Sequence, residues 1–303
     1  MFKFVAAKQK PLIIPVFIPH LGCKRQCAFC NQRDVTGVTE PTLEDVGNAV
    51  KSYLSWSKPH ERREISFYGG TFTALPHEKM MNYIRKGVEF VENGKVNALR
   101  CSTRPDEIDE ERTAILKNSH FEVVELGVQS MSETLLERMR RGHNAEAVLN
   151  SVKILKQCGI SVGLQFMTGF PGESGEDVEI SAKSLEAVRP DFIRIYPFVP
   201  LKNTPVEREI SSGTVQVHSI ETVLERTVTL FLAAMKLEIP VIRIGLPQSR
   251  DVPEIYPANL FQVVAAKAIS RLATDGETKF CIPDNFETSF CMAKKEFSSI
   301  ERL

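Results

Sequence analysis

Short runs rich in Val, Ile, Leu and Phe recur through the first two hundred residues, at 12–18, 64–68, 98–103, 123–128, 161–167 and 192–196. They do not alternate strictly between apolar and polar positions, which is the pattern of parallel strands buried on both faces. Between them, apolar residues return every three or four positions, predicting helices at about 42–56, 76–91, 109–118, 132–140, 145–158 and 176–188. Thr42 with Asp45 three residues on, and Ser132 ahead of Glu133 and Leu135, are usable helix caps. Six strand–helix units in succession imply a parallel sheet with right-handed crossovers. Six is short of the eight that close a barrel, so the expected fold is α/β, an open partial (β/α)6 barrel. After Gly245 the period is lost: 246–257 holds three prolines, followed by a helix near 258–274 and an irregular tail. Residues 1–245 are expected to form the core and 246–303 an extension that caps the barrel.

Composition narrows the classes. Lys plus Arg and Asp plus Glu both number 38, giving a formal charge of zero, with 43% apolar and 25% charged residues. Those are the proportions of ordinary soluble globular chains. A broad basic surface for nucleic acid is disfavoured, although a local basic cleft is not. No apolar run approaches the roughly 20 residues that span a bilayer; the stretch 12–18 is broken by Pro15 and bounded by Pro19. No signal-peptide core follows the opening residues, and a cytoplasmic protein without membrane partners is expected. Seven cysteines, an odd count in a long chain of this kind, point to metal or redox chemistry rather than a disulfide framework.

Three of them, Cys23, Cys27 and Cys30, form C-x3-C-x2-C. A chain of this cysteine content would show that spacing by accident only about 0.004 times, so the trio needs a reason. Three thiolates in one loop suit an iron–sulfur cluster or zinc. A four-iron cubane held by three cysteines leaves one iron open, whereas zinc would recruit His20 as fourth ligand in H-x2-C-x3-C-x2-C. Cys101, Cys158, Cys281 and Cys291 are scattered and read as inert thiols.

With Phe29 immediately before the last cysteine, the trio resembles the signature of the radical S-adenosylmethionine (SAM) superfamily. The resemblance implies that Cys23, Cys27 and Cys30 hold a [4Fe–4S] cluster, that SAM binds the open iron through its amino and carboxylate groups, and that Phe29 lies near the adenine. Further motifs follow in order: Gly69-Gly70-Thr71, Ser102-Thr103-Arg104-Pro105-Asp106, Glu125-Leu126-Gly127-Val128-Gln129-Ser130, Arg140-Arg141-Gly142-His143, Thr168-Gly169-Phe170-Pro171-Gly172 and Arg194-Ile195-Tyr196-Pro197. Over about residues 12–245 their spacing is similar to the cores of elongator's catalytic subunit and oxygen-independent coproporphyrinogen oxidase. By that resemblance Gly69 and Gly70 receive the methionine amino group and Gln129 and Arg141 contact SAM, Arg141 near its carboxylate. Thr71 stands where many members carry Glu. Ser102 replaces a Glu that reaches the SAM ribose, and Gln165 replaces an Asp, so ribose recognition differs here or Gln165 touches substrate. Only 58 residues follow the core, too few for the acetyltransferase domain of elongator's subunit.

Each motif falls at the carboxyl end of an expected strand, where barrel active sites are built. His20 reads as a hydrogen-bonding neighbour of the cysteine loop or a plain loop residue, and His143 as help for a helix starting at Asn144. Lys24, Arg25, Arg62, Arg63, Arg138, Arg140 and Arg141 either ring the mouth and attract an anionic substrate or, Arg141 apart, are scattered solvated charge. Tyr68, Phe72 and Phe170 read as packing residues. The expected function is reductive cleavage of SAM to a 5′-deoxyadenosyl radical that abstracts hydrogen from an unidentified substrate, RNA or nucleoside by one resemblance and a small tetrapyrrole-like metabolite by the other. The family implies a flavodoxin- or ferredoxin-type electron donor. No catalytic residue is assigned. Two other readings remain: a cluster protein that binds SAM without turnover, and a zinc-stabilised RNA-binding or scaffold protein.

Overall fold

The computed structural model describes residues 1–6, 11–31, 40–58, 62–246 and 253–302. Its strands are β1 (Phe2–Lys3), β2 (Leu12–Phe17), β3 (Arg63–Tyr68), β4 (Ala98–Thr103), β5 (Phe121–Gln129), β6 (Ser161–Thr168), β7 (Phe192–Pro197), β8 (Val241–Ile244), β9 (Lys279–Cys281) and β10 (Glu301–Arg302). Strands β2 to β8 make one seven-stranded sheet in chain order. A sheet wound in chain order has no switch point, and right-handed crossovers put every connecting helix on the same face. That is the winding of an open, partial barrel, as expected from the sequence.

The chain divides into two compact units, residues 9–128 with 140–164, and residues 1–8, 129–139 and 165–303. In the first, β2, β3, β4 and β5 pair in parallel, with Ile14 opposite Ile65, Ile65 opposite Leu99 and Cys101 opposite Val124. Side chains alternate across a strand, so these apolar residues share the face covered by helices. Phe67 stacks on Phe72 at 4.7 Å and lies 6.3 Å from Phe121 and 5.9 Å from Tyr83 of the helix His77–Glu92. That helix carries Gly87 where it meets β4: a Cβ there would sit 2.9 Å from Leu99 Cδ2. The helix Leu43–Trp56 starts at the expected capping box, Thr42 Oγ1 accepting from Asp45 N and Asp45 Oδ2 from Thr42 N.

In the second unit β7 pairs with β8, Ile193 opposite Val241. The helix Ile220–Lys236 buries nine residues, among them Val223, Thr227, Val228 and Phe231. Phe4, Phe231, Phe280 and Phe286 form an aromatic core with ring centroids 5.3–6.5 Å apart. Above it a three-stranded parallel sheet sets β1 and β10 on either side of β9, Phe2 opposite Phe280 and Glu301 opposite Lys279.

Three features depart from the expectation. The sheet has a seventh strand, Val241–Ile244, four residues closed in by Pro240 and Gly245. The helices Pro205–Ser211 and Ile220–Lys236 occupy a stretch where no element is expected. The tail is not irregular, since it holds the helix Glu287–Glu296 with β9 and β10. Of the proline-bearing stretch 246–257, residues 247–252 lie outside the described residues. Among the described residues no helix is long and apolar enough to cross a membrane.

Truncating the stacked ring in Phe67→Ala is expected to cost about 3–5 kcal/mol of unfolding free energy, read by chemical denaturation. A loss below about 1 kcal/mol would show that the ring is not a core element.

Candidate active site

The cysteine loop leaves β2 through two left-handed residues, His20 (φ 57°) and Gly22 (φ 75°). It is locked to the loop after β3 by backbone alone: His20 N–H donates to the Gly69 carbonyl at 2.9 Å and Thr71 N–H to the Leu21 carbonyl at 2.8 Å. No side chain fits at this junction. A Cβ on Gly70 would fall 2.4 Å from Leu21 O and 2.6 Å from Ile18 O, and one on Gly22 would fall 2.2 Å from Thr71 O. Gly70 of the Gly69-Gly70-Thr71 motif therefore has a packing role that the motif alone does not reveal. The interlock sets Cys23 Sγ 3.3 Å from Thr71 Oγ1. The loop after β4 joins next, with Thr73 Oγ1 2.6 Å from both Thr103 Oγ1 and the Glu107 carbonyl.

Two buried guanidiniums back the cysteines. Arg141, 6% exposed, donates through Nη1 to Cys27 Sγ at 3.1 Å and through Nη2 to the Gly127 carbonyl. Among the described residues its Nε has no hydrogen-bond partner. Arg104 donates twice to Asp106, at 2.9 and 2.8 Å, and to the carbonyl of Arg141. Burial raises the Cys23 thiol pKa, and neighbouring Cys27 adds to the rise; the Thr71 hydrogen bond and the charges of Arg104 and Arg141 oppose it. Against the upward push of burial, the hydrogen bonds and charge of Arg104 hold Asp106 below its usual range. Buried His143 is pushed down to about 3, first by burial and then by Arg141 and Arg104, so it is a neutral imidazole at neutral pH. Asn144 beside it is the N-cap of the helix Ala145–Gln157, its side chain accepting from Ala147 N.

The face of β3–β5 opposite the apolar one is polar. Glu64, Arg100 and Glu125 are 4%, 5% and 0% exposed. Arg100 lies between the carboxylates, 3.3 Å from Glu64 Oε2 and 3.7 Å from Glu125 Oε1, and the Tyr68 hydroxyl donates to Glu125 Oε1 at 2.8 Å. Ser102 is opposite Glu125 in the register. Tyr68 thus hydrogen-bonds as well as packing, its ring centroid 6.5 Å from that of Phe17, while Phe72 and Phe170 are buried as expected. Glu64 and Arg100 are not among the expected site residues; their signal in the sequence is charge at alternate positions of strands whose other face is apolar. Arg62 and Arg63 stand at the amino-terminal end of β3, away from the site loops. Arg62 pairs with Glu64 and Glu122 at 2.8 and 2.7 Å, and Arg63 donates to the Lys58 carbonyl. Lys24 pairs with Glu107 at 2.7 Å.

Gln129 and Gln165 belong to the other unit. Gln129 ends β5 in the left-handed region, φ 69°, a conformation that costs a residue with a Cβ. In the same unit Arg138 donates to the Gly172 carbonyl at 3.1 Å, so it braces the loop after β6. Glu173 closes that loop, accepting from Gly169 N at 2.6 Å and facing Arg226 at 3.3 Å. Burial pushes Glu173 up to about 7, against the pull of Gly169 N–H and Arg226.

The donor set fits a cubane. Three cysteine sulfurs stand in one loop, two of them already hydrogen-bonded, to Arg141 and Thr71, and the Arg141 Nε, without a partner among the described residues, suits an anionic ligand. Among the described residues no three His, Cys, Asp or Glu side chains converge on a single ion position; a cubane takes each thiolate on a different iron and needs no such convergence.

Comparison with known proteins agrees with this chemistry. The family described as "Radical SAM superfamily" matches residues 17–185. The chain belongs to the radical SAM superfamily. Proteins of this superfamily bind a [4Fe–4S] cluster and SAM. An uncharacterized protein of Methanocaldococcus jannaschii is 31% identical over 220 residues, covering 68% of this chain and 66% of that one. A tRNA uridine(34) acetyltransferase of Methanocaldococcus infernus is 27% identical over 190 residues, 55% of this chain and 35% of the relative. The structure of the Methanocaldococcus infernus Elp3 with an N-terminal deletion superposes with a TM-score of 0.65 at 20% identity, over 89% of this chain and 64% of that one, which shows a shared fold. The chain spans from about a third to just under two thirds of the length of these proteins.

Two outcomes test this arrangement. Arg100→Met leaves Glu64 and Glu125 buried without their cation and is expected to destabilise the protein by about 3–5 kcal/mol, measured by denaturation at neutral pH; an unchanged midpoint would show that the polar face is hydrated and uncoupled. Glu173 binds its proton more tightly folded than unfolded, so its contribution falls as pH rises from about 4.5 to about 7. In Glu173→Gln that part of the pH dependence, on the order of 3 kcal/mol, is expected to vanish from a series of melting curves; an identical pH slope in both proteins would contradict it.

Proposed function

We propose that this member of the superfamily holds a [4Fe–4S] cluster on Cys23, Cys27 and Cys30 and cleaves SAM reductively, using the resulting radical to take hydrogen from an RNA or nucleoside substrate. The observation that carries the reading is the cysteine loop itself, fixed by the backbone interlock with Gly69–Thr71 and met by Arg141 at Cys27. Bound there, the cluster supplies the single electron that the sulfonium needs; the hard chemistry belongs to cofactor and cosubstrate. The protein binds, orients and excludes water. Thr71 steadies Cys23, Arg141 offers its Nε to the SAM carboxylate, Gly69 and Gly70 expose backbone to the amino group, and Phe29 borders the adenine. Ser102 and Gln129 complete the SAM contacts with neutral groups, and Gln165 faces substrate or ribose.

The RNA or nucleoside class is supported by the tRNA-modifying relatives, whose names specify tRNA. In the same reading residues 1–245 form the catalytic core, residues 246–303 cap it, and a flavodoxin- or ferredoxin-type protein of the cytoplasm delivers the electron. Ser102 and Gln165 in place of carboxylates point to a ribose held by hydrogen bonds between neutral groups.

Anaerobic reconstitution of the full chain is expected to give a brown protein with about four irons that releases 5′-deoxyadenosine from SAM after dithionite reduction. Cys27→Ala should lose both the iron and the release. A colourless zinc protein would support the scaffold reading instead, and a fully loaded cluster that never yields 5′-deoxyadenosine would remove the catalytic one.

A further inference from the structure

We infer that Arg141 acts on the cluster as well as on the cosubstrate: its guanidinium, hydrogen-bonded to Cys27 Sγ, raises the reduction potential of the iron–sulfur centre and so makes the centre easier to reduce. The inference rests on the cluster assignment above and adds a role for one side chain.

The placement is rigid. Arg141 Nη1 donates to Cys27 Sγ at 3.1 Å, Nη2 is tied to the Gly127 carbonyl, and the backbone carbonyl of Arg141 accepts from Arg104. Gly142 follows at φ 69°, and a Cβ there would lie 2.8 Å from Arg25 Cδ. The chain therefore turns immediately after Arg141, at a position where a side chain would strike its neighbour. A guanidinium held at both ends of its fork loses little further freedom when the sulfur gains charge.

Its charge is also available. Arg104, whose charge also acts on Cys23 and Cys27, is paired with Asp106 through two hydrogen bonds. Among the described residues Arg141 has no carboxylate within ion-pair distance, and its anionic-side partner is the Cys27 sulfur. Reduction adds one electron to a centre already ringed by three thiolates. A buried, uncompensated positive charge with an N–H pointing at a ligand sulfur favours the reduced state over the oxidised one, and hydrogen bonds to the sulfurs are among the terms that set such potentials. Partial burial strengthens the effect, because few solvent dipoles remain to screen it.

The family resemblance implies a place for Arg141 at the SAM carboxylate, and the two roles separate in an experiment without SAM. The full chain is reconstituted anaerobically as wild type, Arg141→Lys and Arg141→Met. Each is titrated potentiometrically in the absence of SAM, with the reduced centre followed by electron paramagnetic resonance. For Arg141→Met, at the wild-type midpoint, the ratio of reduced to oxidised centre is expected to fall about tenfold, a shift of ~59 mV for one electron. Arg141→Lys keeps the charge without the planar fork and should shift in the same direction by less. Iron and sulfide content are measured on each sample, and Arg141→Lys decides the question if Arg141→Met does not take up the cluster. Variants with full clusters and the wild-type midpoint, weakened only in SAM binding, would overturn the inference and leave Arg141 with the cosubstrate alone; so would a midpoint displaced upward. A wild-type chain that accepts no cluster would instead remove the function proposed above.

Discussion

Two backbone segments at the carboxyl ends of β2 and β3 approach each other more closely than any side chain allows. Gly22 against Thr71 O, and Gly70 against Leu21 O and Ile18 O, make the contact. The remainder of the site follows from it. Because the loops interlock through peptide groups, the Thr71 hydroxyl arrives at Cys23 by construction, and the loop after β4 is drawn in through Thr73 and Thr103. A cysteine loop held this way is positioned by its own peptide groups. Gly70 of the glycine pair is therefore a joint of the fold in its own right.

Charge is arranged on the same frame. Two buried cations stand beside the cysteine loop: Arg141 hydrogen-bonded to Cys27, and Arg104 donating to the Arg141 carbonyl and neutralised by Asp106. Farther down the strands the order is different. The polar face carries two carboxylates around one guanidinium, Glu64–Arg100–Glu125, with Tyr68 hydrogen-bonded to Glu125 at the end nearer the cysteine loop. Small closed barrels fill such positions with Val, Ile and Leu, and buried ion pairs are at best weakly stabilising relative to well-packed apolar residues. Retaining three charges there fits a wall that meets a polar molecule better than one that only supports the fold.

What the sequence makes legible is local. Thr42 with Asp45 and Ser132 with Leu135 cap helices as read, because a cap needs only three or four neighbouring residues. The first six strands of the main sheet stand within two residues of their expected positions for a similar reason: apolar β-branched runs end at turn residues. Helix Ile220–Lys236 carries a readable period, with Val223, Leu224, Thr227, Val228 and Phe231 on its buried side, that the expected elements do not include. Strands of two to four residues, such as Val241–Ile244 and Lys279–Cys281, are too short to carry a pattern and exist only because a partner strand is present. The candidate site divides along the same line. Its cysteine spacing and glycine pair are visible in one dimension. The pairing of Arg141 with Cys27 spans 114 positions, and that of Arg100 with Glu64 depends on strand register. Of the two readings open for Arg62 and Arg63, the register favours scattered charge over the mouth, since it puts them at the opposite end of β3.

The central claim is that three cysteines hold a cubane whose fourth iron is free to bind SAM. Mössbauer spectroscopy of the protein reconstituted with isotopically enriched iron tests it most directly, with spectra taken before and after SAM is added. The account predicts that one iron site in four separates from the others when SAM is present, its parameters moving toward higher coordination. Four irons that stay equivalent in both spectra, in a centre shown to be intact, would contradict it.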